Sequence, residues 1–432
     1  MKRLLRVLAG GLALAWAGAA VASDSFALRL YGELAASQTG NVAVSPYSVA
    51  EAMALAAGGA NGATARQIFS TVVPSDVADV PGYFALKNGD WEAQATAGGG
   101  HLGVANGIWT TGGAPSESFV DLAAEAYGAK AAALDASDPA QAAETLNAWV
   151  SEKTDGMISR LLSAGDLAEA PPIILINAIA FQGFWKCPFD ASRTWPALFT
   201  LDDGELGAVP MMRQTGRFAL ADLGDAQLLR LPYAGDEIEM RIVLPKEGVP
   251  LASVEAQLAD SWDDWAAQAE FCQVDVRLPR FRLGWGPQDL RTALAALGIH
   301  DAFCEKADFS GMGAGVRPGM PLACVVHAAV VDVNEEGTRA AAATGVRVGK
   351  SLARPTNPLL FHANRPFLFA ITEASSGSIL FIGRVNRPDT FNASPADRGR
   401  ATPSTPAEAC AEEDLSAKSV EPCPTTESED SP

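Results

Sequence analysis

The stretch Glu335-Glu336-Gly337-Thr338-Arg339-Ala340-Ala341-Ala342-Ala343-Thr344-Gly345-Val346-Arg347-Val348 follows an apolar run, His327 to Val333. Its position predicts a surface loop, yet its residues alternate as those of a strand do. Thr338, Ala340, Ala342, Thr344, Val346 and Val348 are small or apolar and share one parity. Arg339 and Arg347 fall on the other, with Gly345 and Gly349. Period-two alternation places each set on its own face of an extended chain. Four consecutive alanines lack the bulk to anchor a loop, but they would slide readily between two existing strands. A flexible linker has no reason to keep parity. The segment is therefore expected to leave the surface and enter a β-sheet.

Around this stretch, the 432 residues are 48% hydrophobic and 19% charged, the balance of a globular chain with a substantial core. A net charge of −19 argues against nucleic acid as a partner, because phosphate backbones draw basic surfaces. Lys2, Arg3 and Arg6 precede an apolar run, Val7 to Val21, that exits through Ala20-Val21-Ala22. This order predicts a secretory signal over 1–22, removed before Ser23. The run is short of the roughly 20 residues of a membrane span. The mature chain is accordingly expected outside the cytoplasm, secreted or periplasmic, with no membrane attachment once the signal is gone.

From 23 to 388 no low-complexity break or internal repeat interrupts the chain, which predicts one domain. Beyond Pro388 the composition turns to Pro, Ser, Thr, Ala and acids. Such a segment cannot bury enough apolar surface to offset its ordering entropy, so 389–432 is expected to be a disordered acidic tail. Six cysteines in an oxidising compartment permit disulfides. Cys410 with Cys423 is one candidate pair and Cys304 with Cys324 a second. No Cys/His spacing suggests a metal site and no cofactor is expected. The chain has no G-x-S-x-G elbow, no H-E-x-x-H and no phosphate-cradling glycine loop, which argues against an enzyme.

Helical signals come first. Phe26, Leu30 and Leu34 recur every four residues after Asp24. Ser45-Pro46 makes a cap and first-turn pair, Thr64 and Gln67 have capping-box spacing, and Ser137-Asp138-Pro139 opens a longer helix. Strand-like runs follow: 173–181, 227–232, 237–244, 274–278, 325–333 and 379–385. Helices early and strands late predict an α+β architecture.

Several further stretches, taken in order, resemble the serpin family. Asn41-Val42-Ala43-Val44-Ser45-Pro46-Tyr47-Ser48-Val49 is similar to its N-terminal signature. Asn177-Ala178-Ile179-Ala180-Phe181-Gln182-Gly183-Phe184-Trp185 resembles the strand leading to the region where the family's mobile loop enters a sheet. Leu278-Pro279-Arg280-Phe281, Ala307-Asp308-Phe309-Ser310-Gly311, Asn364-Arg365-Pro366-Phe367 and Leu380-Phe381-Ile382-Gly383-Arg384-Val385 continue the match. Glu335 to Ala343 resembles the hinge of a serpin reactive-centre loop. Two departures stand out: Ala328 follows His327 where lysine is frequent, and Arg339 replaces a usual acid.

The resemblance implies three β-sheets, eight or nine helices and an exposed loop able to insert into the central sheet. It implies a monomeric suicide inhibitor that forms a covalent complex with a target serine protease. A non-inhibitory binding or chaperone-like serpin and a cross-class inhibitor of cysteine proteases are the alternatives. By resemblance, Ser45, Ser48, Asn177 and His327 form a polar cluster beneath the strands that part. Trp185 sits where the loop first enters, and Arg280 pairs with Glu335 at its base. Near a surface such a pair contributes roughly 0–1 kcal/mol. The commonest loop length places the cleaved bond at Ser351-Leu352. A trypsin-like pocket, which holds a basic side chain with a carboxylate, favours Lys350-Ser351 instead. Arg347 and Arg354 are further candidates.

Overall fold

A computed structural model describes residues 17–338 and 357–388, with side chains from Ser25. Residues 1–16 of the expected signal, the hinge residues Arg339, Ala340, Ala341, Ala342 and Ala343, and the bond candidates Lys350, Ser351 and Leu352 lie outside the described residues. So do Arg347, Arg354 and the segment 389–432, including Cys410 and Cys423.

The helices are α1 (Ala17–Ser37), α2 (Pro46–Gly58), α3 (Gly62–Val72), α4 (Val80–Ala97), α5 (Glu117–Tyr127), α6 (Pro139–Lys153), α7 (Leu251–Glu255), α8 (Leu258–Ala267) and α9 (Arg291–Ala296). The strands are β1 (Val42–Val44), β2 (His101–Thr110), β3 (Lys130–Ala133), β4 (Ile173–Phe184), β5 (Trp195–Thr200), β6 (Leu206–Asp222), β7 (Ala226–Pro232), β8 (Ile238–Pro245), β9 (Glu270–Pro279), β10 (Phe281–Asp289), β11 (Leu322–Val333), β12 (Gly337–Thr338), β13 (Leu359–His362), β14 (Phe367–Glu373) and β15 (Ile379–Val385). This is the α+β class that the order of elements predicts.

A central six-stranded sheet runs β10-β11-β12-β4-β2-β3. A nine-stranded sheet runs β1-β15-β14-β8-β7-β6-β9-β13, with β5 added on β6. The long strand β6 joins what would otherwise be two sheets. Its start pairs with β5, its end with β7, and Met211 to Leu220 pair with β9 throughout.

Strands β4 and β11 are buried on both faces, which explains their nearly continuous apolar sequence. On one face Ile173, Leu175, Ile179 and Phe181 join Val325, Ala329, Val331 and Val333 in the main core, against α2 and the nine-stranded sheet. On the other, Ile174, Ile176, Ala178 and Ala180 meet Cys324, Val326, Ala328 and Val330 in a second core that includes Leu146 and Val150 of α6.

Two caps form as their residues predict. The Ser45 side chain accepts from Ser48 N–H at the start of α2, and Asp138 accepts from Ala140 and Gln141 N–H at the start of α6. The capping box at Thr64 and Gln67 does not form. Asn61 is the N-cap of α3 and makes no side-chain cap bond. Thr64 instead accepts from Asp308 N–H, and Gln67 from His300 and Asp301 N–H. Tertiary partners have taken the groups that local spacing assigned to the helix end. The pairing of Cys304 with Cys324 is also overturned: both are free, one exposed in a turn and the other buried in the second core.

Candidate functional site

Parallel strands β4 and β11 pair directly from Ile173 opposite Leu322 to Ala180 opposite Val330. Beyond that point they part, and β12 fills the space between them. Thr338 pairs with Val333 on one side, while Gly337 and Thr338 pair antiparallel with Phe184 and Gly183 on the other. The chain enters by a tight turn. Asn334 and Gly337 exchange backbone bonds, and Asn334 Oδ1 accepts from Glu336 and Gly337 N–H at 2.9 and 3.3 Å.

This corrects the expectation of a surface loop from its first residue. Glu335 is 6% exposed and Thr338 0%. The parted strand ends carry backbone donors and acceptors that need partners, and the returning chain supplies them. Gly337 is the residue that permits it. Its φ is 153°, and a Cβ there would lie 2.0 Å from the Gly183 carbonyl oxygen and 2.7 Å from Phe184 Cα.

Trp185 closes the top. Its backbone N–H donates to Glu336 O at 2.8 Å and its indole Nε1–H to Asn334 O at 2.9 Å. The indole stacks on Tyr233, with ring centroids 4.6 Å apart and planes at 14°. The Tyr233 hydroxyl lies 2.7 Å from Thr338 Oγ1, and burial holds that phenol neutral by raising its pKa. Arg280 Nη2 donates to both oxygens of Glu335, at 2.6 and 2.7 Å. The arginine side chain is 42% exposed and the glutamate 8%, so the pair lies at the rim of the sheet with its guanidinium in solvent. Screening there keeps its contribution to about 1 kcal/mol.

Lower in the sheet the four polar residues meet. His327 and Asn177 stand opposite one another on β11 and β4, with Nδ1 2.7 Å from Asn177 Oδ1. Asn177 Nδ2 donates to Ser48 Oγ at 2.6 Å, and Ser45 N–H donates to His327 Nε2 at 3.2 Å. Because Nε2 accepts, Nδ1 carries the proton and the ring is neutral. Burial lowers the His327 pKa from 6.5 to about 3. The sign follows: the folded state resists protonation, so this contribution to stability is complete above pH 6.5. It is lost as pH falls from 6.5 towards 3, by about 1.4 kcal/mol per unit. Acid should therefore loosen the β4–β11 pairing. Denaturation measured from pH 7 to 4 should show a steeper loss in the wild type than in His327→Gln; parallel curves would refute this.

The polar region extends beyond the four residues read from the sequence. Glu51, on α2 one turn after Ser48, is 2% exposed and accepts from Asn88, which in turn accepts from the Tyr47 hydroxyl. Asn106 stands opposite Asn177 on β2, buried, with its amide directed at the Glu51 carboxyl. A lone acid three residues after Ser48, in an otherwise uncharged helix, was the available signal. Burial raises the Glu51 pKa from 4.5 to about 8. The unfolded chain ionises first, so Glu51 costs stability increasingly from pH 4.5 to 8. Glu51→Gln keeps an acceptor for Asn88 and should stabilise the protein at pH 8, with the gain shrinking by about 1.4 kcal/mol per unit towards pH 5. Calorimetry at both pH values tests this, and a gain independent of pH would contradict it.

Comparison with known proteins agrees with the geometry. The family profile described as "Serpin (serine protease inhibitor)" matches residues 21–388. Leukocyte elastase inhibitor of Homo sapiens is 37% identical over 383 residues, covering 85% of this chain and 98% of that protein. Antithrombin-III of Mus musculus is 34% identical over 380 residues, covering 85% and 81%. The crystal structure of Serpin48, described as a highly specific serpin in the insect Tenebrio molitor, superposes with a TM-score of 0.78 at 30% identity, covering 87% of this chain and all of that one.

Proposed function

The chain belongs to the serpin family, and from that premise we propose that it is a single-use inhibitor of serine proteases, trypsin-like ones first. The observation that carries this reading is the seating of Gly337 and Thr338 between β4 and β11, antiparallel to β4 and with Thr338 facing the main core. Serpin loop insertion is itself an established example of strand addition and stored strain. The register for it can be extended on this chain.

Each residue further along the loop stands one residue further back on both neighbours. Ala340 would face Phe181 and Val331, and Ala342 would face Ile179 and Ala329. Thr344, six residues past Thr338, would arrive between Asn177 and His327, each six residues back from Gly183 and Val333. These neighbours lie on the main-core face, so small side chains of Thr338's parity fit there without displacing bulk. Arg339 would stand opposite Gln182 and Asp332, both half-buried, and Arg347 opposite Ile174 and Cys324 in the second core. Insertion as far as Arg347 therefore requires the α6 side to yield.

The steps follow from this register. A protease attacks the carbonyl before the cleaved bond, Lys350-Ser351 in the preferred reading, forms an acyl-enzyme and releases the new amino terminus. The freed loop from Thr338 onward then separates β4 from β11, replaces the His327–Asn177 contact and carries the acylated protease with it. His327, Asn177, Ser48 and Ser45 are proposed as the joint that opens, because hydrogen bonds between neutral polar groups can be exchanged for others. Trp185, Tyr233, Arg280 and Gly337 are proposed to hold the entry point. A signal-bearing, secreted and monomeric chain fits this role.

The test is to mix the protein with trypsin and read intact mass. A covalent adduct with a released peptide beginning at Ser351 is expected, and a cut elsewhere would move the assigned bond. Cleavage without adduct by trypsin, elastase-like, subtilisin-like and cysteine proteases alike would refute inhibition and leave a non-inhibitory serpin.

A further inference from the structure

One face of the β5–β6 hairpin is apolar and uncovered. Phe199 and Val209 point inward and are fully buried, while Leu198 and Leu206 are 62% and 63% exposed. Pro196 and Ala208 are exposed on that same outer face. The pairings Pro196–Pro210, Leu198–Ala208 and Thr200–Leu206 set these side chains in rows that contain no charge. Among the described residues β5 pairs with β6 alone, so this is also an edge. Soluble proteins ordinarily place charge or a covering segment at such a position.

The described chain ends beside this face. Asn41 Oδ1 accepts from Asn386 and Arg387 N–H at 2.7 and 2.9 Å, which fixes the direction of exit. Arg387 donates to Asp202 at 2.7 Å and also to Asp203, both in the turn joining β5 to β6. The last described residues, Arg387 and Pro388, thus lie near the β5–β6 turn, whose two acids Arg387 pairs with. The segment 389–432 begins Asp389-Thr390-Phe391-Asn392-Ala393, and Phe391 is its only aromatic residue. Three extended residues from Pro388 span about 10 Å. Leu198 lies only about 7 Å, two strand steps, beyond the residue that faces Leu206.

We propose that residues 389–393 fold back across the outer face of β5 and β6, with Phe391 packed between Leu198 and Leu206. The root of the tail would then be a docked element of the domain. A second copy of the chain is the weaker occupant. Four side chains, one of them alanine, fall well short of the roughly 800 Å² that each partner of a stable dimer buries.

The experiment uses the full chain carrying Phe391→benzoylphenylalanine, irradiated at low concentration, digested and read by mass spectrometry. The expected result is a cross-link within the monomer to the peptide spanning Leu198 to Ala208. Its yield should fall about tenfold when Leu198→Asp and Leu206→Asp are combined, since two exposed leucines supply most of the apolar contact. Cross-links to the same peptide found only in a dimer would overturn the proposal in favour of a second copy. Cross-links scattered over other surfaces, or none to the protein, would overturn it outright. The location of the cross-link does not depend on the double variant folding.

Discussion

Thr338→Arg is expected to convert the protein from an inhibitor into a substrate. Thr338 is fully buried, with its hydroxyl against Tyr233 and its backbone paired on both sides. An arginine there must either bury an unpaired charge facing the main core or withdraw from the sheet. Burying it costs several kcal/mol, since no acid faces that position among the groups named above. The first residue of the inserting strand would then oppose entry, while the peptide around Lys350, twelve residues on, would remain available to a protease. Even 3 kcal/mol against insertion shifts the partition from adduct towards hydrolysis about a hundredfold. The measurement is the ratio of covalent adduct to cleaved product with trypsin. Arg339→Gln serves as the control, because by register Arg339 stands between two half-buried polar residues. Equal adduct from wild type and both variants would refute the proposed insertion.

The second large effect concerns the cleaved protein. Cutting the loop with a protease that is not trapped should release Thr338 onward to insert completely. Two new antiparallel ladders would replace the direct β4–β11 pairing, a net gain of about ten backbone bonds at roughly 1 kcal/mol each. For a domain of this size such a gain raises the midpoint by roughly 10–20 °C. Thermal denaturation before and after the cut measures it. The Thr338→Arg protein, cut in the same way, should gain little. A wild-type protein that is cut and shows no rise would mean that its loop does not enter the sheet.

Much of this architecture was legible in the residues. The strand runs within β4, β7, β8, β9, β11 and β15 announced themselves by apolar patterning, and the caps of α2 and α6 by Ser45-Pro46 and Asp138-Pro139. What escaped were elements whose patterning is weak or shared. Strand β6 changes partner along its length, so its alternation is not that of one half-buried strand. The capping-box reading at Thr64 and Gln67 failed because residues 300–308 lie within reach and bind the same groups. Within the site, Ser45, Ser48, Asn177 and His327 were named through resemblance, and the structure brings them into contact. Glu51, Asn88 and Asn106 were not named. They come from three separate elements, and only packing places them beside the cluster.

By itself the sequence determined the α+β class, the strand runs at 173–181 and 325–333, and the parity that suits residues 338–348 to a strand. These follow from local periodicity, which is written in consecutive residues. Only the tertiary structure decided how far the junction has already entered the sheet. Gly337 can return between β4 and β11 because those strands diverge at Ala180 and Val330 and because the Gly183 carbonyl leaves no room for a side chain. It also decided that Glu335 is buried and that Glu51 is held protonated near neutral pH. Divergence, close approach and desolvation depend on segments distant in the chain, so no local pattern encodes them.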